Sequence, residues 1–408
     1  MTTSICPTMS ETGLPPIAYD HLYDPDEAHC AIAQARRQGP VAMGPHGPEF
    51  LSYELVRTIS RDPRFAPAVN AVMAAQGITS GPVWERATQN ILALDGERHH
   101  RLRRLVSKAF TPRGAERLQA VVVDVINELV DPLTAAGHCD VVTGIARPYP
   151  TPIICALLGV PRHDWELFSA WADEIKKLFE WNVVADGPAI AAAWEELDAY
   201  LEEMLAQRRS HLTDDLISDL ICAHDDGDRL KHDDVLMLVG TLLVAGTDTT
   251  RNQLAAAVHA LSDHPDQWAL LGEHPEFAGA AVHELMRYYP IIFAGARMAV
   301  EDVELGGVNI PAGSMVMRNL AAANRDPAVY DDPDRLDISR EPSTPILSFG
   351  GGAHYCLGSH LARLELREAL TIITRRMPNP RRTEPTQWKQ IIGITGPIAL
   401  PLEFEPGH

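Results

Sequence analysis

The sequence lacks the features that would place it in several common protein classes. None of its six cysteines, at positions 6, 30, 139, 155, 222 and 356, forms a CxxC pair, so neither a zinc module nor a disulfide framework is indicated. The longest apolar run, residues 235–246, is interrupted by Gly240 and Thr241 and is shorter than the about 20 residues that cross a bilayer. Residues 1–16 are polar and lack the charged and apolar regions of a signal peptide. We therefore expect a reduced, cytoplasmic protein.

Positive charge is scarce. Lys and Arg number 35 against 55 Asp and Glu, and the resulting net charge of -20 repels phosphate backbones and anionic lipid. We therefore expect neither a nucleic-acid partner nor a membrane-surface partner. The hydrophobic and charged fractions, 46% and 22%, are those of ordinary globular proteins, which excludes a disordered or fibrous chain.

The chain has no Gly/Ser linker, no internal repeat and no shift in composition along its length. Length alone suggests roughly two to three domains, but this uniformity predicts one domain spanning residues 1–408, with residues 1–16 flexible. Helical periodicity predominates, so the predicted fold class is mainly α with small β-sheets. Helices are predicted at residues 26–38, 98–109, 113–136, 164–179, 189–209, 214–223, 233–262, 266–273, 275–288 and 356–376. Strands are predicted at residues 41–42, 50–53, 303–305, 308–310, 314–317 and 398–404.

The predicted helix at residues 233–262 is the most informative element. Its middle, residues 245–250, reads AGTDTT, and these residues form helices poorly, so we expect this turn to loosen. The carboxylate of Asp248 is costly inside such a helix unless it is hydrated, paired or used. The residues alone leave two interpretations open: a Thr-rich packing kink, or an acid with a chemical role.

A second informative segment reads FGGGAHYCLG at residues 349–358. Three consecutive glycines let the backbone approach a large flat group, and Cys356 follows them at the predicted start of a helix. A thiolate in that position is favoured by the helix dipole, and it is a soft metal ligand. A lone cysteine after a glycine turn can equally be a buried structural residue.

The segment as a whole carries more information than its cysteine. The fixed positions Phe349, Gly350, Gly352, His354, Cys356 and Gly358 together resemble the heme-binding signature of the cytochrome P450 family. The resemblance implies heme b as the cofactor, with Cys356 as the axial iron ligand and the other motif residues close to the porphyrin. Thiolate ligation favours cleavage of the O–O bond, so the resemblance implies a bacterial heme-thiolate monooxygenase.

Further motifs occur in the order that this family shows. Asp248 and Thr249 resemble its acid–alcohol pair, which relays protons through water to the bound oxygen. Glu284 and Arg287 resemble its ExxR motif, and Arg335 resembles the arginine that completes that structural ion triad. An isolated Glu–Arg pair at i,i+3 is usually a weak surface salt bridge, so the order and spacing of the motifs carry this assignment.

One stretch reverses the acidic balance of the chain. Residues 97–113 carry six Arg and Lys side chains against one acidic residue. The resemblance implies that His99, Arg103, Arg297 and His354 hold the heme propionates. Some of the other basic residues are equally explained as a solvated charged face.

The resemblance also implies the reaction and its partners. No flavin or nicotinamide motif is visible, so we expect electrons from a ferredoxin with its NAD(P)H-dependent reductase, steered by Arg101, Arg104 and Lys108. The implied reaction inserts one oxygen atom of O₂ into a hydrophobic small molecule, by hydroxylation, epoxidation or dealkylation. A coupling or desaturating oxidase of the same fold remains open, as does a non-catalytic sensor, although a sensor has no need of Asp248 and Thr249.

The expected substrate pocket is apolar. Its candidate walls are Leu243, Val244, Ala245, Ile291, Ile292, Phe293 and Ile394, with the loop at residues 72–84, Phe179 and Trp181 as further candidates. No lone charge among them would anchor a carboxylate or an amine. We therefore expect a hydrophobic substrate such as a terpenoid, steroid, macrolide or aromatic compound.

Overall fold

A computed structural model describes residues 13–223 and 230–406. Within these two ranges the chain forms sixteen α-helices and twelve short β-strands. The helices are α1 (Pro25–Gln38), α2 (Tyr53–Ile59), α3 (Val69–Ala75), α4 (Pro82–Gln89), α5 (Gly96–Ser107), α6 (Pro112–Glu116), α7 (Gln119–Ala136), α8 (Pro150–Leu158), α9 (Trp165–Ile175), α10 (Val183–Ser210), α11 (Leu216–Ala223), α12 (His232–Ser262), α13 (Pro265–Glu273), α14 (Ala278–Tyr288), α15 (Leu320–Asn324) and α16 (Ser359–Arg376). The strands are β1 (Val41–Gly44), β2 (Gly47–Phe50), β3 (Phe65–Pro67), β4 (His138–Asp140), β5 (Ala294–Ala299), β6 (Val303–Leu305), β7 (Val308–Ile310), β8 (Met315–Asn319), β9 (Arg381–Arg382), β10 (Gln387–Trp388), β11 (Pro397–Ala399) and β12 (Pro401–Glu403).

Helix α12 is the longest helix and is buried over most of its length. Its 31 residues span about 46 Å at the helical rise of 1.5 Å per residue. Asp233 and Asp234 lie in its first turn, where the helix dipole favours carboxylates. The helix packs against α8, α9, α10, α14 and α16, so it organises the helical part of the core. No described helix is long and apolar enough to cross a membrane.

The expectation that the turn at residues 245–250 loosens is wrong. Helix α12 continues through this turn without a break. The hydroxyls of Thr247 and Thr249 donate to the carbonyls four residues earlier, of Leu243 and Ala245, at 2.8 and 2.7 Å. Because these hydroxyls bond to carbonyls of their own helix without displacing its ladder, they leave the turn closed.

The main sheet has five strands in the order β1-β2-β8-β5-β3. Strands β2 and β8 are parallel, and the other neighbours are antiparallel. Between β5 and β8, Gly295 is paired with Arg318 and Arg297 with Val316. Directly paired residues share a face of the sheet, as do residues two apart, so Arg297 and Arg318 lie on the same face. The smaller sheets join β6 with β7, β10 with β11, and β4 with β12 and β9.

The predicted fold class, mainly α with small sheets, is confirmed, but several boundaries are wrong. The predicted helix at residues 113–136 is two helices, α6 and α7, and the helix expected from residue 356 begins at Ser359. The predicted strand at residues 50–53 is also wrong, because β2 ends at Phe50 and Tyr53 begins α2.

Some elements are absent from the sequence prediction for physical reasons. Helix α8 contains Pro150 and Pro152 and is buried on nearly every face, so it has no amphipathic period. Strand β5 consists mainly of Ala and Gly, which are poor strand formers. The short elements α2, α3, α4, α15, β3, β4, β9 and β10 are likewise not predicted.

The expectation of a flexible segment at residues 1–16 lies mostly outside the described residues. Where the chain is described, it is bonded to β1. The amide of Met43 donates to the carbonyl of Pro15 at 2.8 Å, and the amide of Ile17 donates to the carbonyl of Met43 at 3.0 Å.

Candidate functional site

The cysteine loop, residues 349–358, is closed by its own backbone. The amide of Cys356 donates to the carbonyl of Phe349 at 2.9 Å. Gly352 has a φ of 64°, in the left-handed region that favours glycine, and a Cβ there would lie 2.6 Å from the carbonyl oxygen of Ser60. At this position the glycine therefore serves a close approach to the end of α2.

Cys356 is exposed, and residues 352–358 of the loop are exposed or half-buried. A Cβ on Gly358 would meet nothing within 4 Å, so there is open space next to this end of the loop, and Gly350 has a φ of 71°, in the left-handed region that favours glycine. Burial raises the pKa of Cys356, whereas the Gly358 amide, Arg103 and Arg363 lower it. These three groups stabilise a thiolate, the form that binds a soft metal.

Two histidine rings stack beside the loop. The ring centroids of His99, on α5, and His354 lie 4.1 Å apart at an interplanar angle of 28°. His99 Nδ1 and His354 Nε2 are buried and have no hydrogen-bond partner within the described ranges. Burial lowers the pKa of both imidazoles, that of His354 to about 4. A buried polar atom without a partner is unfavourable, so both nitrogens require a ligand.

Three buried or partly buried arginines accompany the histidines. Arg103 and Arg297 donate to backbone carbonyls, and Arg318 donates to the hydroxyl of Ser60 at 3.0 Å. None of the three forms an ion pair with a residue that the structure describes. Burial lowers the pKa of all three, that of Arg297 to about 10. Cations held in this way require an anion. Sequence reasoning missed Arg318, which belongs to no motif.

Taken together, these groups test the fit of the cofactor that the sequence implies. Asp95, His99 and His354 each offer a ligand atom within 4.8 Å of the others and could hold a metal ion. A bare ion at these residues would leave the arginines without counter-charge and Cys356 without a partner. A group that carries both a metal and carboxylates satisfies all of them, and an iron porphyrin with two propionates has that composition.

Asp248 belongs to a charged cluster beside α12. Its carboxylate pairs with Arg251 and lies 3.6 Å from Lys176 Nζ. Asp173 bonds both cations, at 2.7 Å to Arg251 and 3.1 Å to Lys176. Burial opposes ionisation of Asp173, but the two cations outweigh it and lower the pKa to about 2. Exposure rises from 4% at Asp248 to 22% at Asp173, so the cluster leads from the interior towards solvent.

Thr249 follows Asp248 and lines the same cavity. Its hydroxyl donates to the carbonyl of Ala245 at 2.7 Å, and its oxygen can still accept a hydrogen bond. Ala245 is exposed in an otherwise buried stretch of α12, because the cavity meets the helix at this point. The structure therefore brings the acid and the hydroxyl together at one wall.

Glu284 and Arg287 form a bidentate ion pair, with nitrogen–oxygen distances of 2.7 and 2.8 Å and side chains no more than 1% exposed. The expectation that Arg335 completes this triad is wrong. Its side chain is 65% exposed, and only its carbonyl takes part, by accepting from Arg287 at 3.2 Å. Arg340 takes that position, with its Nε 3.2 Å from Glu284 Oε1. A turn closed by the amide of Arg340 and the carbonyl of Asp337, at 3.0 Å, returns the chain to Glu284.

Asn324 links this ion pair to the cysteine loop. Arg287 donates to the carbonyl of Asn324 at 3.0 Å. The Asn324 side chain accepts from the amide of Leu347 and donates to the hydroxyl of Ser348, both at 2.8 Å. Leu347 and Ser348 immediately precede the loop, so the ion pair fixes the point where the loop begins.

A cavity of about 420 Å³ adjoins α12. On this helix its lining residues are 237, 240, 241, 244, 245, 248 and 249, a spacing that selects one helical face. Of the predicted walls, Val244, Ala245, Ile292, Phe293, Ile394, Phe179 and Trp181 line it. The segment at residues 72–84, expected to be a loop, includes the end of α3 and the beginning of α4, and Val72 and Met73 line the cavity from it.

Two predicted walls are wrong. Leu243 lies off the cavity face of α12 and is completely buried in the core. Ile291 also packs into the core, and its carbonyl accepts from the amide of Thr395 at 2.9 Å. Neither residue lines the cavity.

The pocket also has polar and charged walls that the predicted set does not include. Tyr19, Asp20, His46, Glu49 and Arg86 line the cavity. The first four come from the N-terminal part of the chain and belong to no motif. Tertiary packing alone brings them to the pocket, so no local signal in the sequence could have identified them.

The basic stretch on α5 is partly engaged within the protein. Arg98 and Arg101 lie 3.4 and 3.3 Å from the carboxylate oxygens of Asp234. Arg104 and Lys108 are exposed. The predicted docking residue Arg101 therefore also has a structural contact.

Comparison with known proteins finds one family model and many relatives that resemble this chain. The family model described as Cytochrome P450 matches residues 83–274 and 273–378. The mycinamicin IV hydroxylase/epoxidase of Micromonospora griseorubida is 39% identical over 367 residues, covering 88% of this chain and 90% of that protein. The nocardicin C N-oxygenase of Nocardia uniformis subsp. tsuyamanensis is 38% identical over 359 residues, covering 86% and 88%. The crystal structure of CalO2 superimposes with a TM-score of 0.88 at 32% identity, covering 95% of this chain and 100% of that one.

Proposed function

The chain belongs to the cytochrome P450 family, and from this premise we propose that it holds heme b on Cys356 and oxidises a hydrophobic small molecule with electrons from a ferredoxin. The protein is an oxidoreductase, a heme-iron monooxygenase that uses O₂ and a redox partner. We further propose that residues 1–408 form one domain serving this cofactor, because the groups that fit it extend from His99 to Gly358.

The cofactor proposal rests on one observation: an exposed cysteine occurs in the same site as histidines that lack a hydrogen-bond partner and arginines that lack an ion pair within the described parts of the chain. Cys356 supplies the soft ligand, and His99 Nδ1 and His354 Nε2 are buried without a hydrogen-bond partner among the described residues, although His354 Nε2 lies 3.7 Å from Asp95 Oδ1. Arg103 and Arg297 accompany them without a described carboxylate. The heme, when bound, supplies activation of O₂ for insertion of one oxygen atom into the substrate.

The residues around the cofactor site have separate tasks. The Gly358 amide and Arg103 stabilise the thiolate of Cys356 and thereby tune its donation to iron. The histidine pair, Arg103, Arg297 and Arg318 bind the two propionates. Glu284 and Arg287, through Asn324, hold the beginning of the cysteine loop in place.

Asp248 and Thr249 are the proposed catalytic residues. Asp248 connects the cavity to a charged cluster that reaches solvent through Asp173 and Lys176. A carboxylate so placed can exchange protons with solvent and pass them to water beside Thr249. The Thr249 hydroxyl accepts from that water and holds it at the cavity wall.

We propose a ferredoxin, reduced by an NAD(P)H-dependent reductase, as the electron donor. Arg104 is exposed on α5, the helix that also carries His99 and Arg103, and Lys108 is exposed at the residue that follows this helix. A negatively charged donor attracted to this surface would dock close to the cofactor. The net charge of the whole chain, -20, makes this basic surface distinctive.

The carbon-monoxide difference spectrum of the reduced protein tests the proposal. We expect a Soret band of the thiolate type in the wild type. Cys356→Ala should abolish it, and Cys30→Ala, which changes another accessible cysteine, should leave it intact. A thiolate-type band that persists in Cys356→Ala would contradict the assignment of this residue as the ligand.

A further inference from the structure

The cavity contains a carboxyl group that the proposed oxygen chemistry does not use. Glu49, at the end of β2, is 2% exposed and lines the cavity. Its Oε2 accepts hydrogen bonds from the Tyr19 hydroxyl at 3.0 Å and from the Asn319 amide at 2.9 Å. Its Oε1 accepts none from the part of the chain that the structure describes. Gly44 makes room for this second oxygen, since a Cβ there would lie 2.5 Å from it.

Two of the cations that line the cavity are paired with other carboxylates. Arg86 donates to Asp198 at 2.6 Å, and Lys176 bonds Asp173 at 3.1 Å. Arg297 is assigned to the propionates. Glu49 forms no ion pair with any described residue, so one carboxyl of the cavity wall is left without a basic partner.

The surroundings of Glu49 suit a positive charge. Asp20 lines the same cavity and adds a second carboxylate, which lies 3.2 Å from the His46 ring. The His46 ring stacks on Trp181 with centroids 4.0 Å apart, and Phe293 contributes another aromatic surface. Carboxylates and aromatic rings together are the groups that bind ammonium ions.

The ionisation of Glu49 depends on what lies beside it. Burial raises its pKa to about 7, against the hydrogen bonds from Asn319 and Tyr19, which lower it, and Asp20 raises it further. At neutral pH the carboxyl is therefore close to half-ionised in the absence of a ligand. A cation next to Oε1 favours the ionised form.

We propose that Glu49, with Asp20 beside it, binds a basic nitrogen of the substrate, so that the substrate class is a hydrophobic molecule carrying an ammonium group. This inference rests on the proposed function, because it names what the same cavity accepts. The apolar part of the molecule occupies the wall formed by Val244, Ile292 and Ile394. The ammonium group pairs with Glu49 Oε1.

Three probes with one alkyl chain length test this inference on the heme-loaded protein: decyltrimethylammonium, decan-1-ol and decanoate. The quaternary ammonium keeps its charge at every pH and cannot coordinate iron. Dissociation constants are measured at pH 8 by calorimetry and by the ligand-induced change in the heme spectrum. We expect the ammonium probe to bind about tenfold or more tightly than the alcohol, and decanoate to bind most weakly.

Glu49→Gln is the test variant, because glutamine keeps an oxygen for Tyr19 and Asn319 and removes only the charge. It should weaken binding of the ammonium probe about tenfold and leave binding of decan-1-ol unchanged. Glu304→Gln removes an exposed carboxylate of β6 that does not line the cavity, and it should change neither.

The pH dependence separates Glu49 from its neighbours. Affinity for the ammonium probe should rise from pH 6 to pH 8 in the wild type, as Glu49 ionises. Asp20, His46, Tyr19 and Lys176 also face this region, and a positive charge on His46 would oppose binding of the ammonium probe. Glu49→Gln should flatten the rise, whereas His46→Gln should retain it.

Equal affinity for the ammonium probe and the alcohol, tightest binding of decanoate, or a pH dependence abolished only by His46→Gln would each overturn the inference. The thiolate-type carbon-monoxide band is recorded for every variant. If that band is present while Glu49→Gln binds the ammonium probe normally, this inference fails and the proposed function stands. If the band is absent from the wild type, the proposed function itself fails.

Discussion

Thr250 donates a 3.0 Å hydrogen bond to Glu365, a completely buried carboxyl on the helix that follows the cysteine loop. Thr250 is the next residue after the proposed catalytic hydroxyl. The bond therefore ties α12, one residue beyond Thr249, to α16, which begins three residues after Cys356. Burial raises the pKa of Glu365 to about 8, against the hydrogen bond from Thr250, which lowers it.

The burial of Glu365 predicts a pH-dependent stability. Because the folded pKa of Glu365 is about 8 and the ordinary value is 4.5, its contribution to stability is complete at low pH and is lost as the pH rises towards 8. Glu365→Gln should therefore gain about 2 to 4 kcal/mol relative to wild type between pH 5 and pH 8, measured as the free energy of unfolding in urea. Glu368→Gln, on the same helix but partly exposed, should show no such gain. Parallel pH profiles for wild type and Glu365→Gln would contradict the prediction.

The second prediction concerns the uncompensated cation Arg318. Arg318→Met removes a buried charge that lacks a described counter-ion, so the heme-free protein should become more stable by about 1 to 3 kcal/mol. The same change should weaken heme retention, measured as transfer of heme to an acceptor protein, because a propionate loses a cation. If stability and heme retention fell together, Arg318 would be a structural residue only.

The third prediction separates the two arginines near Glu284. Arg340→Ala should lower the free energy of unfolding by about 1 to 3 kcal/mol, because a buried carboxylate loses one of its cations. Arg335→Ala should change it by no more than about 0.5 kcal/mol, because that guanidinium is largely exposed. Denaturant unfolding of the two variants measures the difference, and equal losses would restore Arg335 to the triad.

The fourth prediction concerns proton delivery. Thr249→Ala should retain heme and bind substrate while releasing hydrogen peroxide in place of product, because the water beside Asp248 is no longer held. Peroxide formed per NAD(P)H consumed is the measurement. Thr247→Val changes a hydroxyl on the opposite, buried side of α12 and should remain coupled. Full coupling in Thr249→Ala would refute the assignment.

The fifth prediction concerns the electron donor. Replacing Arg104 and Lys108 by glutamine should slow reduction by a ferredoxin about tenfold at low ionic strength, with the difference disappearing at high salt. Lys177→Gln removes a cation from the segment after α9, beyond the cavity, and should have no effect. Stopped-flow reduction at two salt concentrations measures both. A rate insensitive to salt in the wild type would argue against steering by this surface.

Motifs can be found in the sequence where the residues lie close together along the chain. The cysteine loop and the Asp248–Thr249 pair are contiguous, and Glu284 and Arg287 are one helical turn apart, so the resemblance to the family could be read from their order and spacing. Arg340 could not be predicted in this way, because its place beside Glu284 depends on a turn near Asp337 that no local sequence pattern indicates.

The walls of the cavity were the least predictable part. Val244 and Ala245 could be found because the face of α12 is fixed by the position of Asp248, but Leu243 shows that adjacency in sequence does not give a shared face. Glu49 reaches the pocket through strand pairing of β2 with β8, and Arg318 becomes buried through the same sheet. The location of these two side chains is determined by tertiary packing, so the neighbouring residues in the sequence do not predict it.

The contacts that build the pocket join distant parts of the chain. The bond from Arg103 to the carbonyl of Tyr355 closes a separation of 252 residues, and that from Asn319 to Tyr19 closes one of 300. Contacts between residues so far apart in the sequence are expected to form late in folding. The entropic cost of closing the long loop between them must be offset before the contact stabilises the fold. A cofactor held by both His99 and Cys356 would then cross-link the N-terminal and C-terminal parts of the chain. Heme capture should therefore coincide with the last cooperative step of folding, and loss of heme should loosen both ends of the protein together.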